Sequence, residues 1–273
     1  MDGQLKKTII AGGAGGGRGG VVMARIALGT IVRDIDLAVF DKDGTLIDFH
    51  HLWGRKARLA VEAVVTAMGS DRGLANRLYH SIGFDLQTGE AAASGPLAVT
   101  VMAKLYTICA TVLYQHGLPW HEAERVAQEH FASGLGALPT ADLVKPVGDV
   151  VGLFRALVAA GVKIAIVTSD DRAATVASLP VLGIEPYVAG MICGDDPVAN
   201  KPAPDALFRL SQELGVALAR VMMVGDTLGD MLMASAAGAG CRLAVLSGAA
   251  GAAELTPHAD AVLPSIDGIR VLA

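Results

Sequence analysis

The stretch Leu37-Ala38-Val39-Phe40-Asp41-Lys42-Asp43-Gly44-Thr45 decides the fold. A short apolar run delivers two carboxylates, two residues apart, into a glycine turn. Side chains alternate faces in extended backbone, so Asp41 and Asp43 can point the same way. Like charges held that close repel, and both stay ionised only with a cation between them; otherwise they share a proton. One carboxylate can act as nucleophile, the other as acid or base, and a hard, oxygen-seeking metal can sit at both. Alone, an Asp-x-Asp pair also permits a solvated turn or a calcium loop, so its meaning depends on the rest of the chain.

The chain has 273 residues, enough for roughly two domains of ordinary size. It is 52% hydrophobic but only 4% aromatic, a balance suited to an α/β protein with a buried parallel sheet. The net charge of −5 and the lack of a Lys/Arg cluster argue against nucleic acid and anionic membrane surfaces as partners. Cys109, Cys193 and Cys241 are far apart and show no zinc or CxxC spacing, so they read as free thiols in a reducing cytoplasm. The mean hydropathy is +0.48, yet the longest stretch free of charge, residues 105–121, contains Gln115, His116, Gly117 and Pro119 and does not read as a membrane span. Residues 8–17 are too rich in glycine to form the core of a signal peptide.

Residues 11–20 are of low complexity and read as a flexible arm within an N-terminal extension over 1–34. The frame Gly15-x-Gly17-x-x-Gly20 fits a dinucleotide fingerprint, but so glycine-rich a segment matches it by composition alone. From Asp36 onward the chain reads as globular. Residues 37–40 form a buried strand. Helical spacing follows over 52–68, 71–82, 97–116 and 120–134, with no strand among them. The pattern then changes to helix 149–160, strand 162–167, helix 172–179, strand 188–192, helix 203–214, strand 221–224, helix 229–238 and strand 243–246. Such alternation implies a doubly wound, Rossmann-like parallel sheet with right-handed crossovers. The expected domains are therefore an α/β core over 35–50 and 146–273 and an all-helical insert over 51–145. Hinges are expected near 48–52 and 143–148, where Pro146 interrupts any helix.

Ligands of open parallel sheets bind at the carboxyl ends of the strands. Four expected strands lead there into polar chemistry: Asp41; Thr168-Ser169-Asp170-Asp171; Gly194-Asp195-Asp196 running on to Lys201-Pro202; and Gly225-Asp226-Thr227-Leu228-Gly229-Asp230. With these residues in this order, the chain from Asp36 onward resembles the haloacid dehalogenase superfamily of phosphohydrolases. Lys201-Pro202-Ala203-Pro204-Asp205 and the helical insert after Asp41 resemble its phosphoglycolate phosphatase and β-phosphoglucomutase branch. Position 42 is Lys, where that branch more often carries Leu or Phe.

The resemblance implies a set of roles. Asp41 would attack phosphorus and form an aspartyl-phosphate. Asp43 would protonate the leaving alcohol and then deprotonate the hydrolytic water. Mg²⁺ would be held by the Asp41 and Asp226 carboxylates with the Asp43 backbone carbonyl. Thr168, Ser169, Gly44 and Lys201 would hold the phosphoryl group, and Asp230 would orient metal-bound water. The implied activity is Mg²⁺-dependent hydrolysis of a small phosphorylated metabolite, phosphoglycolate-like. A phosphosugar mutase and a non-catalytic binding protein on the same fold remain as alternatives; the dehalogenase and phosphonate-cleaving branches lack an acid at the position of Asp43.

Other polar residues have plainer readings. His50 and His51 read equally as exposed linker residues or as substrate contacts from the insert, and Arg55 and Lys56 as a solvated helix face, with reach to a substrate carboxylate as the alternative. Asp170 and Asp171 cap the next helix. Asp195 and Asp196 are loop acids within possible reach of a metal, and Met222, Met223, Met231 and Met233 pack the core.

Overall fold

Strand β3 (Leu37–Phe40) is buried on both faces, which is why it reads as a continuous apolar run. It lies at the centre of a parallel sheet between β4 (Lys163–Val167) and β6 (Val221–Gly225). With β5 (Val188–Ile192), β7 (Cys241–Val245) and β8 (Ala261–Leu263), the strand order is β5-β4-β3-β6-β7-β8. This is a computed structural model, and it describes residues 24–137 and 139–272. The glycine-rich segment 11–20 and the fingerprint within it lie outside the described residues.

Alternation along β3 sorts the helices onto two faces. Ala38 and Phe40 join one apolar cluster with helix α7 (Val150–Ala159) and helix α8 (Arg172–Leu182). Leu37 and Val39 join another with α9 (Asp205–Leu214) and α10 (Leu228–Ala237). Phe40 and Phe154 meet with ring centroids 5.0 Å apart, a pair that adds about 0.5–1.5 kcal/mol to the burial of its surface. The doubly wound core expected from the strand–helix alternation is therefore the architecture observed. The four methionines also pack the core, each fully buried.

The ordered fold starts earlier than Asp36. Residues 25–34, expected to belong to the extension over 1–34, form strands β1 (Arg25–Leu28) and β2 (Ile31–Asp34). The loop between them has two residues, and Gly29 at φ 63° takes the positive φ that tight hairpin loops demand. β1 also pairs with the C-terminal strand β9 (Ile269–Leu272), giving a second, antiparallel sheet. Four-residue strands carrying Arg25, Arg33 and Asp34 have little periodic signal; burial of Ile26 and Leu28 against the far end of the chain fixes them.

Helices fill the insert between β3 and α7: α1 (Phe49–Ala67), α2 (Arg72–Ile82), α3 (Pro96–Val99), α4 (Met102–Gln115), α5 (Trp120–Val126) and α6 (Ala132–Leu135). A π-turn over Ala127–Phe131 joins the last two. The single helix expected over 97–116 breaks at Thr100 and Val101, both extended. Asp48 caps α1 by accepting from the His51 amide at 3.0 Å and holds Lys145 at 2.8 Å. The two linkers run side by side, with the Asp48 amide donating to Lys145 O at 2.8 Å and the Val147 amide to Leu46 O at 2.9 Å.

Gly134 on α6 lies against the backbone of Ala60 on α1, leaving no room for a Cβ. Gly134→Ala is expected to cost about 1–3 kcal/mol by overpacking and to lower Tm accordingly. Gly251→Ala, whose Cβ meets nothing within 4 Å, is the control and should stay within about 0.5 kcal/mol in the same thermal melt.

Candidate active site

The sheet brings the expected strand ends to one edge. Phe40 pairs in register with Ile166 on one side and Val224 on the other, so the residues that follow all three strands emerge together. The Asp41 amide continues the ladder by donating to Val224 O at 2.8 Å, and the Thr168 amide donates to Ile192 O at 3.0 Å. After Asp43 the chain turns at once, with the Gly44 amide donating to Ile47 O at 2.7 Å and Gly44 at φ 96°. A Cβ at Gly44 would overlap the Asp226 carboxylate, and so would one at Gly248. The glycines thus form a close cradle around Asp226, whose carboxylate accepts from Thr45 Oγ1 and the Ala249 amide, both at 3.1 Å.

Asp41, Asp226 and Asp230 are buried, and one carboxylate oxygen from each lies within 4.8 Å of the others. Lys201 is the counter-charge. Its Nζ lies 2.5 Å from Asp41 Oδ1 and 2.7 Å from Asp230 Oδ1; the second contact is an ion pair without hydrogen-bond alignment. Asp230 also closes a capping box on α10, its Oδ2 accepting from the Thr227 amide at 3.1 Å and from Thr227 Oγ1 at 2.6 Å. Burial pulls the Lys201 pKa down, but Asp230 and Asp41 outweigh it and raise it overall.

One ammonium does not balance three buried carboxylates. Burial raises the Asp41 pKa to about 7 against the opposing pull of Lys201, with Asp230 and Asp43 adding to the rise. Burial also pushes Asp226 well above the ordinary carboxylate range, reinforced by Asp41 and Asp230. Hard oxygen donors with excess negative charge and a cradle of glycine fit a divalent cation such as Mg²⁺.

A second charged cluster adjoins the first. Lys42 is fully buried, and its Nζ donates to Asp43 Oδ1 at 2.6 Å, Asp43 Oδ2 at 2.7 Å and Asp170 Oδ2 at 2.9 Å. Lys56 on α1 is also fully buried, not on a solvated face, and its Nζ has no hydrogen-bond partner. It lies 4.8 Å from the centroid of the Trp53 ring. Burial lowers the Lys56 pKa, and Asp170 is the strongest charge opposing that. Asp170 does not cap α8: Asp171 occupies the cap position and makes no side-chain cap bond, while Asp170 is buried beside Lys42. Neither Lys56 nor Asp170 carries a local signature of the cluster, because the segments that bear them meet only in the fold. A lysine between two acids at the end of a buried strand is a signal in itself, because such a charge must be paired.

Asp41, Asp43, Thr168, Ser169, Asp170 and Lys201 line a cavity of about 200 Å³ at the sheet edge. The helical insert lines its other side with Phe49, Trp53, Leu97, Val99 and Thr100. Gly44 and Asp226 sit behind this wall rather than on it, Gly44 accepting from Ser247 Oγ at 2.7 Å through its carbonyl. Other candidates lie apart. Asp195 accepts from the Arg172 amide at 2.8 Å and Asp196 pairs with the Arg172 guanidinium, so neither joins the carboxylate cluster. His51 contacts Asp142 O at 2.9 Å, and exposed Arg55 pairs with Asp142.

This fold and edge site define a haloacid dehalogenase-like hydrolase, and the chain belongs to that family, whose model matches residues 35–238. It is similar to the phosphoglycolate phosphatase of Yersinia pestis, 29% identical over 82% of this chain and 87% of the relative. The phosphoglycolate phosphatase of Escherichia coli K12 is 31% identical over 44% of this chain and 48% of its own length. A predicted phosphoglycolate phosphatase from Haemophilus somnus has the same fold at a TM-score of 0.65 and 19% identity, covering 85% of this chain and 94% of that one. A putative β-phosphoglucomutase from Thermotoga maritima matches at a TM-score of 0.56 and 19% identity, covering 84% and 94%.

A folded carboxyl that binds its proton more tightly than the unfolded one weakens the fold as pH rises. Without metal, stability should therefore fall from about pH 4 through the raised Asp41 value of about 7, where the folded state holds a proton that the unfolded state has released. Asp226→Asn should raise the metal-free Tm at pH 8 by relieving that repulsion. Added Mg²⁺ is expected to raise the wild-type Tm and to leave that of Asp226→Asn unchanged, all read by thermal melts with and without EDTA.

Proposed function

We propose that this chain is a Mg²⁺-dependent phosphomonoesterase acting on a small phosphorylated metabolite of the phosphoglycolate type. One observation carries the reading: Asp41, Asp43, Thr168 and Lys201 face a single cavity at the carboxyl edge of the sheet, under an apolar cover from the insert. Phosphoryl transfer asks little of a protein beyond an in-line nucleophile and charges placed around the phosphoryl oxygens.

An Asp41 carboxylate oxygen forms a bond to phosphorus as the ester P–O bond breaks, leaving an aspartyl-phosphate. Asp43 gives its proton to the departing alkoxide and then takes one from water, whose oxygen attacks phosphorus. The bond to Asp41 breaks and inorganic phosphate leaves. The Lys201 ammonium and the Thr168 hydroxyl hold the phosphoryl oxygens, with Ser169 beside them. The Asp41 and Asp226 carboxylates, with Asp230 close by, would hold Mg²⁺, which neutralises phosphoryl charge when bound. The insert sets the apolar side chains of Phe49, Trp53 and Leu97 beside these charges, which lowers the local polarity in which they act.

The phosphoglycolate class rests on the similarity to the Yersinia pestis enzyme along most of both chains. Three buried free cysteines suit a reducing cytoplasm, and no helix among the described residues is long and apolar enough to cross a membrane.

Wild-type protein is expected to hydrolyse p-nitrophenyl phosphate with Mg²⁺ and to lose the activity in EDTA; turnover independent of metal would overturn the mechanism. Asp41→Asn should lower kcat by at least roughly 10⁴-fold while the fold persists by circular dichroism. In a screen of metabolite phosphates, 2-phosphoglycolate and its near relatives should give the highest kcat/KM, and preference for a sugar phosphate would redirect the substrate reading.

A further inference from the structure

Lys42 departs from the apolar residue that a buried strand end favours, and the surrounding geometry gives it a task. An isolated buried ammonium is strongly disfavoured, and an apolar residue in its place is often neutral or stabilising. Lys42 has three N–H donors, and its contacts reach three carboxylate oxygens, two on Asp43 and one on Asp170. Asp170 is a fixed post: its other oxygen accepts from the Asp171 amide at 2.9 Å, and its own amide donates to Thr168 Oγ1 at 3.1 Å. The chain of contacts therefore runs from the end of β4 through Asp170 and Lys42 to Asp43. A second lysine, Lys56 on α1, is buried without a hydrogen-bond partner and takes no part in this chain of contacts.

We propose that Lys42, anchored by Asp170, is a positioning residue that holds the Asp43 carboxylate at the reaction cavity. The proposal rests on the phosphatase reading and on the role of Asp43 within it. Asp43 follows Asp41 by two residues and shares its sign, so without Lys42 repulsion and free side-chain rotation would carry it out of line. Lys42 touches neither substrate nor metal in this scheme; it acts through Asp43.

The test uses the full-length protein with Mg²⁺ and two substrates. With p-nitrophenyl phosphate the leaving group needs little proton donation, so Lys42→Met should still form the aspartyl-phosphate. Its hydrolysis needs the Asp43 base and should slow. Stopped-flow traces of Lys42→Met should then show a burst of one p-nitrophenolate per active site, followed by a steady state roughly 10–100-fold below wild type. With 2-phosphoglycolate, whose alkoxide needs the acid, the first step should slow as well and the burst should vanish. KM should move less than about threefold, as expected when an interaction of the transition state is lost. Lys42→Arg should recover part of the rate. Asp170→Asn is nearly isosteric and should reproduce the burst in milder form, and it decides the matter if Lys42→Met fails to fold.

Wild-type kcat in both variants would overturn the proposal. So would an equal loss on both substrates without a burst, the mark of a merely structural role. A wild type inactive on every phosphate ester would instead overturn the phosphatase reading.

Discussion

Lys201 stands between two buried carboxylates, and much of the molecule is arranged to make that possible. An acid at the end of a buried strand, in contact with other acids, is costly without compensation. The parallel sheet provides the setting, because β3 and β6 are neighbours whose ends deliver Asp41 and Asp226 to the same edge, Asp226 one residue further along its strand. The loop after β5 must then carry a cation back across the same edge, which it does at Lys201. The capping box of α10 fixes the third carboxylate, so Asp230 serves the helix with one oxygen and faces Lys201 with the other. The remaining negative charge is the property that makes the site suited to a hard cation. A site poised in this way trades stability for chemistry.

The same logic explains what the sequence discloses. β3, β4 and β6 are legible because parallel strands covered on both faces read as nearly unbroken apolar runs ending in polar residues. Asp41, Thr168, Lys201 and Asp226 stand out because strand ends are where an open sheet binds its ligands. The hairpin of β1 and β2 is not legible: half of its residues are polar or exposed, and its partner β9 lies at the other end of the chain. Likewise, Thr100 and Val101 break a helix without any glycine or proline at the break. Tertiary packing decides these elements, and local propensity does not contain it.

The charged pairs around Lys42 were hidden for a different reason. Asp170 and Lys56 each have an ordinary local reading, as a helix cap and as a solvated helix residue. Their burial follows from three separate segments meeting: the end of β3, the end of β4 and the first helix of the insert. A lysine flanked by Asp41 and Asp43 was the one clue on the surface of the sequence, since a buried lysine requires partners that the adjacent residues only partly supply.

The insert is joined to the core by more than its linkers. One apolar cluster runs from Phe40 and Phe154 through Leu46 and Ile47 to Leu52 and Trp53, so core and cover share packing beneath the cavity. The linkers pair at Ile47 and Pro146, and α1 begins two residues after Ile47. Phe49, Trp53 and Lys56 lie on the same side of that helix, at spacings of four and three residues. One helix face therefore carries both part of the apolar wall of the cavity and the buried Lys56. Core and insert thus build one cavity between them: the sheet edge supplies its charged groups, and α1 with residues 97–99 supplies its apolar wall.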